Sequence, residues 1–268
     1  MSTTVEHGKA ETTTDPSAAS ARVRVSLREI RECTFRALSA HGASHGEAAT
    51  AARMVVDAEL QGHRGIYEVL RDLDRDPWAK EAVRITDGGS EPRAGSGTES
   101  KGPVVLGDQD GNRLLRHLPL AAHLAAAEPG RGVYVPGEIT EIGCVDAVLI
   151  EVAAAVERPI GLVQVGRGDQ TALRLALADG SLGSGAVQVL AEWGGDDLNA
   201  LTRHDPGADG VWLLAGTDAD AKTEQGLTWV SARDRADARA AAASEGRLIT
   251  GDAWWALYAA SRRYLVSA

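Results

Sequence analysis

Residues 24–65 read RVSLREIRECTFRALSAHGASHGEAATAARMVVDAELQGHRG, and this stretch carries the clearest structural pattern in the chain. Ser26 followed by Glu29, and Ser44 followed by Glu47, both fit a capping box. In this motif the serine hydroxyl accepts a hydrogen bond from the third helical amide, and the glutamate accepts one from the cap amide. Two capping boxes eighteen residues apart predict the starts of two helices.

The ends of both helices are also indicated. His41-Gly42 is typical of a helix end, since glycine tolerates left-handed backbone and a cation suits the last turn. The second helix is predicted to close at Gly62-His63-Arg64-Gly65. Each helix carries one apolar stripe near helical spacing, formed by Ile30, Phe35, Leu38, Ala48, Ala51, Ala52, Val55, Val56 and Leu60.

Composition limits the classes of partner. The 268 residues are 44% hydrophobic and 25% charged, as in ordinary soluble domains, and the formal charge is −10. A sequence-independent affinity for nucleic acid or anionic lipid is therefore not expected, and we expect small molecules or proteins as partners. No apolar run reaches the roughly 18–20 residues of a membrane span, and no signal peptide is apparent. We expect a cytoplasmic protein with no membrane contact.

No metal or redox site is predicted. Cys33 and Cys144 are the two cysteines and show no Cys-x-x-Cys spacing, so both are expected to be reduced structural thiols. The histidines show no metal-binding spacing. The loop 108–112 is rich in Asp, Gly and Asn but lacks the acid of a calcium loop, so it is interpreted as a turn.

Four segments are predicted. Residues 1–22 lack an apolar period and are expected to form a disordered tail, and residues 23–85 form the helical module. Residues 86–103 are rich in Gly, Ser and Pro and are expected to be a flexible linker. Residues 104–268 are then an α/β body with a C-terminal docking helix.

Strand and helix signals alternate in this body, which favours an α/β fold with a mixed sheet, flanking helices and at least some parallel pairing. Strands are predicted at 104–106, 132–135, 160–165, 186–190, 211–214 and 227–230, and helices at 114–127, 146–157, 171–178 and from 252. The last helix carries Trp254, Trp255, Leu257, Tyr258 and Tyr264. Either it closes the core or it presents an aromatic face to a partner subunit.

His63-Arg64 is the main candidate for chemistry. A histidine can move a proton near neutral pH, and an arginine can bind a carboxylate with two parallel hydrogen bonds. The pair would suit a carboxylate-bearing substrate. The alternative interpretation is that both side chains only complement the helix C-terminus.

The stretch from Val25 to Ile66 resembles the N-terminal segment of the malate/L-lactate dehydrogenase family that is not built on a Rossmann fold. Members show Ala-Asp-Leu-Arg-Gly and then Ser-His-Gly, where this chain has Ala58-Glu59-Leu60-Gln61-Gly62 and His63-Arg64-Gly65. With the segment Trp254 to Val266, it also resembles an uncharacterised bacterial family of unknown function that looks like a reduced, divergent relative of these dehydrogenases.

The resemblance implies an NAD(P)-dependent oxidoreductase acting on a small 2-oxo or 2-hydroxy acid, with His63 as acid/base and Arg64 binding the carboxylate. If the match slides by one residue, the family histidine falls on Arg64. The chain departs from the family where an Asn-His-x-Gly motif would follow a strand, because it reads Gly166-Arg167-Gly168-Asp169-Gln170 there. The Leu-Gly-Thr-Asn-Pro motif of the family's nucleotide-binding region is also absent from this sequence.

Gly166 and Gly168 are the candidate cofactor-binding residues, since they follow a strand and precede a predicted helix, as in a phosphate loop. The alternative is a tight strand–helix turn without a ligand. The missing motifs also leave a second function open, that of a catalytically silent relative that binds a small ligand or a partner protein. A homodimer is expected, because the family pairs its subunits and the aromatic arc of the last helix is wide.

Overall fold

The computed structural model describes residues 21–78, 83–87, 103–107, 113–137, 141–165, 172–186, 210–216 and 227–265. These residues form seven α-helices: α1 Leu27–Ala40, α2 His45–Gln61, α3 Gly65–Leu73, α4 Leu114–Ala127, α5 Asp146–Val156, α6 Ala232–Glu245 and α7 Gly251–Arg262. Short 3₁₀ turns precede α5 at Ile142–Val145 and follow α7 at Arg263–Leu265.

Both predicted capping boxes are present. The Ser26 hydroxyl accepts from the Glu29 amide at 3.2 Å, and the Ser44 hydroxyl accepts from the Glu47 amide at 3.3 Å. The glutamate carboxylates accept from the two serine amides, each at 2.9 Å. The first two helices therefore begin where the sequence predicts. A third helix, α3, follows directly and was not predicted, because only three residues separate it from α2 and its own apolar face is short.

The described strands form a two-stranded and an eight-stranded sheet. Their bounds are β1 Arg22–Val25, β2 Ile85–Asp87, β3 Val104–Leu106, β4 Val133–Pro136, β5 Ile160–Val165, β6 Ala172–Ala176, β7 Leu182–Ala186, β8 Gly210–Ala215, β9 Thr228–Val230 and β10 Arg247–Thr250. The large sheet has the order β2-β3-β4-β8-β5-β6-β7-β9. Of its pairings, β3–β4 is parallel and the others are antiparallel. The α/β class with a mixed sheet is confirmed.

One helix prediction is wrong. Residues 171–178 were expected to be helical, but Ala172–Ala176 forms β6, which pairs antiparallel with β5 and then with β7. The reason is an alternation of period two: Leu173 and Leu175 are buried on one sheet face with Arg174 between them. The strand predicted at 186–190 lies outside the described residues beyond Ala186, where β7 ends.

The elements stack in layers. Helices α4 and α5 pack on the sheet, α2 packs on α4 and α5, and α1 and α3 pack on α7. A single cluster of buried apolar residues joins the helical layer to one sheet face. The other face carries a smaller cluster formed by Val163, Leu173, Leu175, Trp212 and Leu214.

Several segment boundaries shift. Arg22 belongs to β1, which pairs with β10, while residues 1–20 lie outside the described part. Thr86 and Asp87 belong to β2, so the predicted linker overlaps a strand, and residues 88–102 are not described. The four-segment division remains a prediction. Cys33 and Cys144 are both buried and unbridged. None of the described helices combines the length and the apolar content that a membrane crossing needs.

Candidate active site

The junction of α2 and α3 builds the centre of the candidate site. Gly62 adopts left-handed backbone with φ of 84°, and the His63 amide donates to the Ala58 carbonyl at 2.8 Å, as in a Schellman end. At Gly65 a Cβ would lie 2.9 Å from the Val55 carbonyl oxygen, so only glycine lets α3 begin this close to α2. This tight reversal fixes the backbone of His63.

The His63 side chain reaches from this junction to the start of α5. Its Nε2 lies 3.7 Å from Oδ2 of Asp146, and its ring rests against Gly143 in the preceding 3₁₀ turn. The imidazole is 25% exposed, so solvent or a small molecule can reach it. Its Nδ1 forms no hydrogen bond with the residues that the structure describes. One nitrogen therefore faces a carboxylate and the other is available.

Asp146 lies between the His63 imidazole and the guanidinium of a second residue. Its side chain is 2% exposed, and its second oxygen, Oδ1, lies 3.6 Å from Nε of Arg174 on β6. Neither Oδ1 nor Arg174 Nε forms a hydrogen bond, although both atoms are enclosed. Sequence reasoning singled out neither residue. The alternation Leu173-Arg174-Leu175 would have placed Arg174 on the face towards α5, whereas nothing local marks Asp146 as the partner of a histidine 83 residues earlier (146 minus 63).

Further carboxylates surround this pair. Glu59 is buried on α2 and accepts from the Ile66 amide at 2.9 Å, while burial raises the pKa of its carboxyl against the opposing effect of that amide and of Arg247. Burial also raises the pKa of the Cys144 thiol, and the nearby carboxylates of Glu68, Glu141 and Glu59 add to the effect. Cys144 is therefore held as a neutral thiol and is not a nucleophile.

Arg64 does not join this cluster. It is the exposed N-cap residue of α3, and its guanidinium lies 5.8 Å from the centre of the Tyr67 ring. The Tyr67 hydroxyl is 2.9 Å from the hydroxyl of Thr250, the last residue of β10 before α7. The two adjacent residues that sequence analysis paired thus have different surroundings, with His63 at the buried carboxylate and Arg64 on an exposed aromatic ring.

Gly166 and Gly168 lie outside the described residues. The elements on either side of them are the antiparallel strands β5 and β6, so the helix N-terminus that a phosphate loop uses does not follow this segment. The cofactor-binding role of Gly166 and Gly168 stays a prediction, without the helix that was expected to follow them. What the described residues bring together is a histidine, a buried aspartate and an arginine, a set able to hold an anion and transfer a proton.

Neither a protein-family profile nor a curated protein sequence matches the chain. Solved structures do match. Malate dehydrogenase from Pyrococcus horikoshii superposes with a TM-score of 0.57 at 11% identity, covering 91% of this chain and 96% of that one. A dehydrogenase from Sinorhizobium meliloti gives 0.55 at 13% identity, covering 90% and 100%. Sulfolactate dehydrogenase from Methanocaldococcus jannaschii gives 0.52 at 10% identity, covering 90% and 97%. The chain shares the fold of these dehydrogenases.

Proposed function

We propose that this protein is an oxidoreductase that interconverts a small 2-oxo acid and its 2-hydroxy acid. The observation that carries the proposal is the His63–Asp146 pair, in which a partly exposed imidazole faces a buried carboxylate across 3.7 Å. The fold shared with malate and sulfolactate dehydrogenases supports the reaction class. The neighbours' substrates are hydroxy acids, which suggests the substrate class for this chain.

His63 is the proton-transferring residue in this proposal. Reduction of a 2-oxo acid adds a hydride to the carbonyl carbon and a proton to its oxygen, and oxidation removes both. Asp146 would hold Nε2 and so orient the ring, leaving Nδ1 to exchange the proton with the substrate oxygen. Asp146 is then a positioning residue, since it orients the His63 ring and does not itself exchange the proton.

NAD(P) is the proposed cofactor, and it would supply or accept the hydride. The helix expected after Gly166 and Gly168 is the strand β6, and both glycines lie outside the described residues. We therefore assign only the proton transfer to residues of this chain. We also propose a location in the cytoplasm, in keeping with the small-molecule substrate class.

The test combines cofactor binding with turnover. Fluorescence titration with NADH and NADPH should reveal one of them binding, and a panel of small 2-oxo acids should show its oxidation. The variant His63→Gln should lower kcat by about 10²-fold or more, the usual contribution of a positioned acid/base. The control is His123→Gln, because His123 is an exposed histidine on α4, and this variant should keep full activity. Absence of binding by both cofactors at millimolar concentration would refute the proposal.

A catalytically silent binding protein is the second candidate, favoured by the β5–β6 hairpin, which replaces the predicted helix. The two candidates differ in one result. A silent relative would bind a 2-oxo acid without oxidising either cofactor, whereas the enzyme does both. Removal of α7 cannot discriminate between them, because α7 packs on α1 and its loss would damage the fold in either case.

We further propose that the protein is a homodimer paired through α7. Trp254 was expected to contribute, but it is only 5% exposed and belongs to the chain's own core. Trp255 and Tyr258 remain 57% and 43% exposed and lie edge to face at 6.0 Å. Sedimentation at micromolar concentration should give a dimer, and Trp255→Ser with Tyr258→Ser should give a monomer. Trp229→Ser, at an exposed tryptophan on β9, is the control and should leave the dimer intact.

A further inference from the structure

Arg174 occupies a position that the proposed proton transfer leaves unexplained. It lies in the middle of β6, on the sheet face towards α5, and its side chain is 18% exposed. Its Nε lies 3.6 Å from Asp146 Oδ1, while Asp146 Oδ2 faces His63 at 3.7 Å. One buried carboxylate thus places a cationic guanidinium and a titratable imidazole on either side of itself.

The contacts of Arg174 are incomplete in a way that suits an anion. The distance of 3.6 Å from Arg174 Nε to Asp146 Oδ1 exceeds hydrogen-bond length. Arg174 Nε is therefore enclosed without an acceptor. The guanidinium forms no further ion pair with the described residues. Because an enclosed donor without an acceptor is costly, the arrangement favours an added acceptor that reaches the remaining edge of the guanidinium.

The charges around the site also require such a cation. Glu59, Glu68 and Glu141 lie near Cys144, which belongs to the 3₁₀ turn that the His63 ring contacts, and they would repel a carboxylate substrate. Arg71 is committed to Glu68, with which it forms an ion pair within α3. Arg247 interacts with Glu59, and Arg64 lies over the exposed Tyr67 ring. Arg174 differs from these arginines because it lies 3.6 Å from Asp146, the carboxylate whose other oxygen faces the His63 imidazole.

We propose that Arg174, and not Arg64, binds the carboxylate of the substrate. The inference rests on the proposed role of His63, because a carboxylate held at Arg174 would bring the adjacent 2-oxo or 2-hydroxy group towards the imidazole. Arg174 offers terminal N–H groups for bidentate binding, and Asp146 sets the direction of the guanidinium from its Nε side. Arg174 is then a substrate-binding residue that fixes the acid end of the molecule.

The test measures binding of oxamate, an unreactive 2-oxo acid analogue, by isothermal titration calorimetry, with the uncharged ethyl oxamate as reference ligand. The wild-type protein should bind oxamate at least tenfold more tightly than ethyl oxamate. Arg174→Gln should abolish this difference, and Arg174→Lys should restore only part of it, since lysine lacks the planar fork. Arg64→Gln is the matched control and should behave as the wild type.

Millimolar guanidinium should restore oxamate binding to Arg174→Ala, a rescue that a purely structural role would not produce. If the Arg174 variants do not fold, protection of Arg174 from phenylglyoxal by oxamate in the wild-type protein replaces them. Equal oxamate affinity in the wild type and Arg174→Gln would overturn the inference, as would a loss confined to Arg64→Gln or Arg247→Gln. If oxamate binding depends on Arg174 but the panel of reactive 2-oxo acids oxidises neither NADH nor NADPH, the inference stands and the oxidoreductase is refuted.

Discussion

The imidazole of His63 occupies the space that a side chain at Gly143 would need. A Cβ on residue 143 would lie 2.3 Å from His63 Nε2 and 2.4 Å from its Cδ2 and Cε1. Real Cβ atoms do not approach other atoms so closely, so any residue larger than glycine would displace the ring. The position of the proposed acid/base therefore depends on a residue in a different element, the 3₁₀ turn before α5.

Gly143→Ala should move His63 away from Asp146. Because the imidazole is partly exposed, it can swing outwards, and the free energy of unfolding should fall by only about 1 to 2 kcal/mol. Turnover should fall at least tenfold, as measured by steady-state kinetics. Gly46→Ala is the control: no atom lies within 4 Å of its added Cβ, so this α2 substitution should keep activity and stabilise by about 0.5 to 1 kcal/mol. Equal activity in both variants would contradict the proposed role of His63.

Asp57→Asn should loosen α6. Asp57 is buried on α2 and accepts from Arg239 at 2.9 Å and from Arg235 at 3.1 Å, and Ala242 is the one buried residue of α6. Removing a buried partner leaves cations unpaired, so we expect a loss of about 2 to 4 kcal/mol in the free energy of unfolding. Trypsin should cut the α6 arginines faster.

Asp237→Asn serves as the comparison for Asp57→Asn, because Asp237 is an exposed α6 carboxylate paired with Arg233 at 3.8 Å. It should change stability by less than about 0.5 kcal/mol. If both variants lose the same stability, the buried ion pair is not what holds α6.

Asp72→Asn should change the pH dependence of stability. Burial raises the pKa of Asp72 from 3.8 to about 7, and the nearby Arg113 only partly opposes this. Because the pKa is higher in the folded protein, the stabilisation from this group is full below pH 3.8 and is lost as pH rises through 7. Asp72→Asn has no carboxyl to ionise at this position, so it does not lose this stabilisation as pH rises. The free energy of unfolding of the variant, relative to that of the wild type, should therefore rise by about 3 kcal/mol between pH 5 and pH 8.

Urea denaturation at several pH values measures the effect of Asp72→Asn. Asp74→Asn, at an exposed carboxylate two residues further along, is the control and should not reproduce the rise of about 3 kcal/mol expected for Asp72→Asn. A flat profile for Asp72→Asn as well would show that Asp72 is ionised in the folded protein at pH 5.

Ser44→Ala should weaken the start of α2 by about 1 kcal/mol, the usual value of an N-cap. The loss leaves the Glu47 amide without its acceptor. Glu47 also binds Arg116 of α4 at 2.9 Å, so the cap helps to orient a contact between two helices. Ser44→Asp retains a capping oxygen and should cost less than about 0.5 kcal/mol. Thermal unfolding measures both losses. Equal losses in Ser44→Ala and Ser44→Asp would contradict a role of the side-chain capping oxygen.

The parts of the fold that were predictable from sequence are those fixed by neighbouring residues. Ser26 and Ser44 define helix starts because each serine lies only three residues before the glutamate with which it forms the capping box. The strand at 160–165 is predictable for a similar reason, because its apolar residues lie close together in the chain. Helix α6 begins with the same chemistry at Ser231 and Asp234, yet it was missed because its faces lack an apolar period. At 171–178 the alanine and leucine content suggested a helix, but the alternation of buried and polar residues with a period of two produces a strand at Ala172–Ala176.

The candidate site was only half predictable for the same reason. His63 stood out through its place at a helix end, where the backbone motif is local. Asp146 and Arg174 become visible only when α2, α5 and β6 meet, and the contacts between them are set by packing of the whole core. Arg64 lies apart from His63 because adjacent residues at a helix junction leave the backbone in different directions.

The pairing of β1 with β10 has a consequence for the order of folding. Arg22 lies opposite Thr250, so the first described strand has no partner until the chain has been synthesised beyond residue 250. The α1 face that packs on α7 likewise stays uncovered until then. Contacts this distant in sequence carry a large loop-closure cost and form late. During synthesis the face of α1 that packs on α7 therefore stays exposed although α1 can already pack on α2, and an apolar face left open in this way favours aggregation.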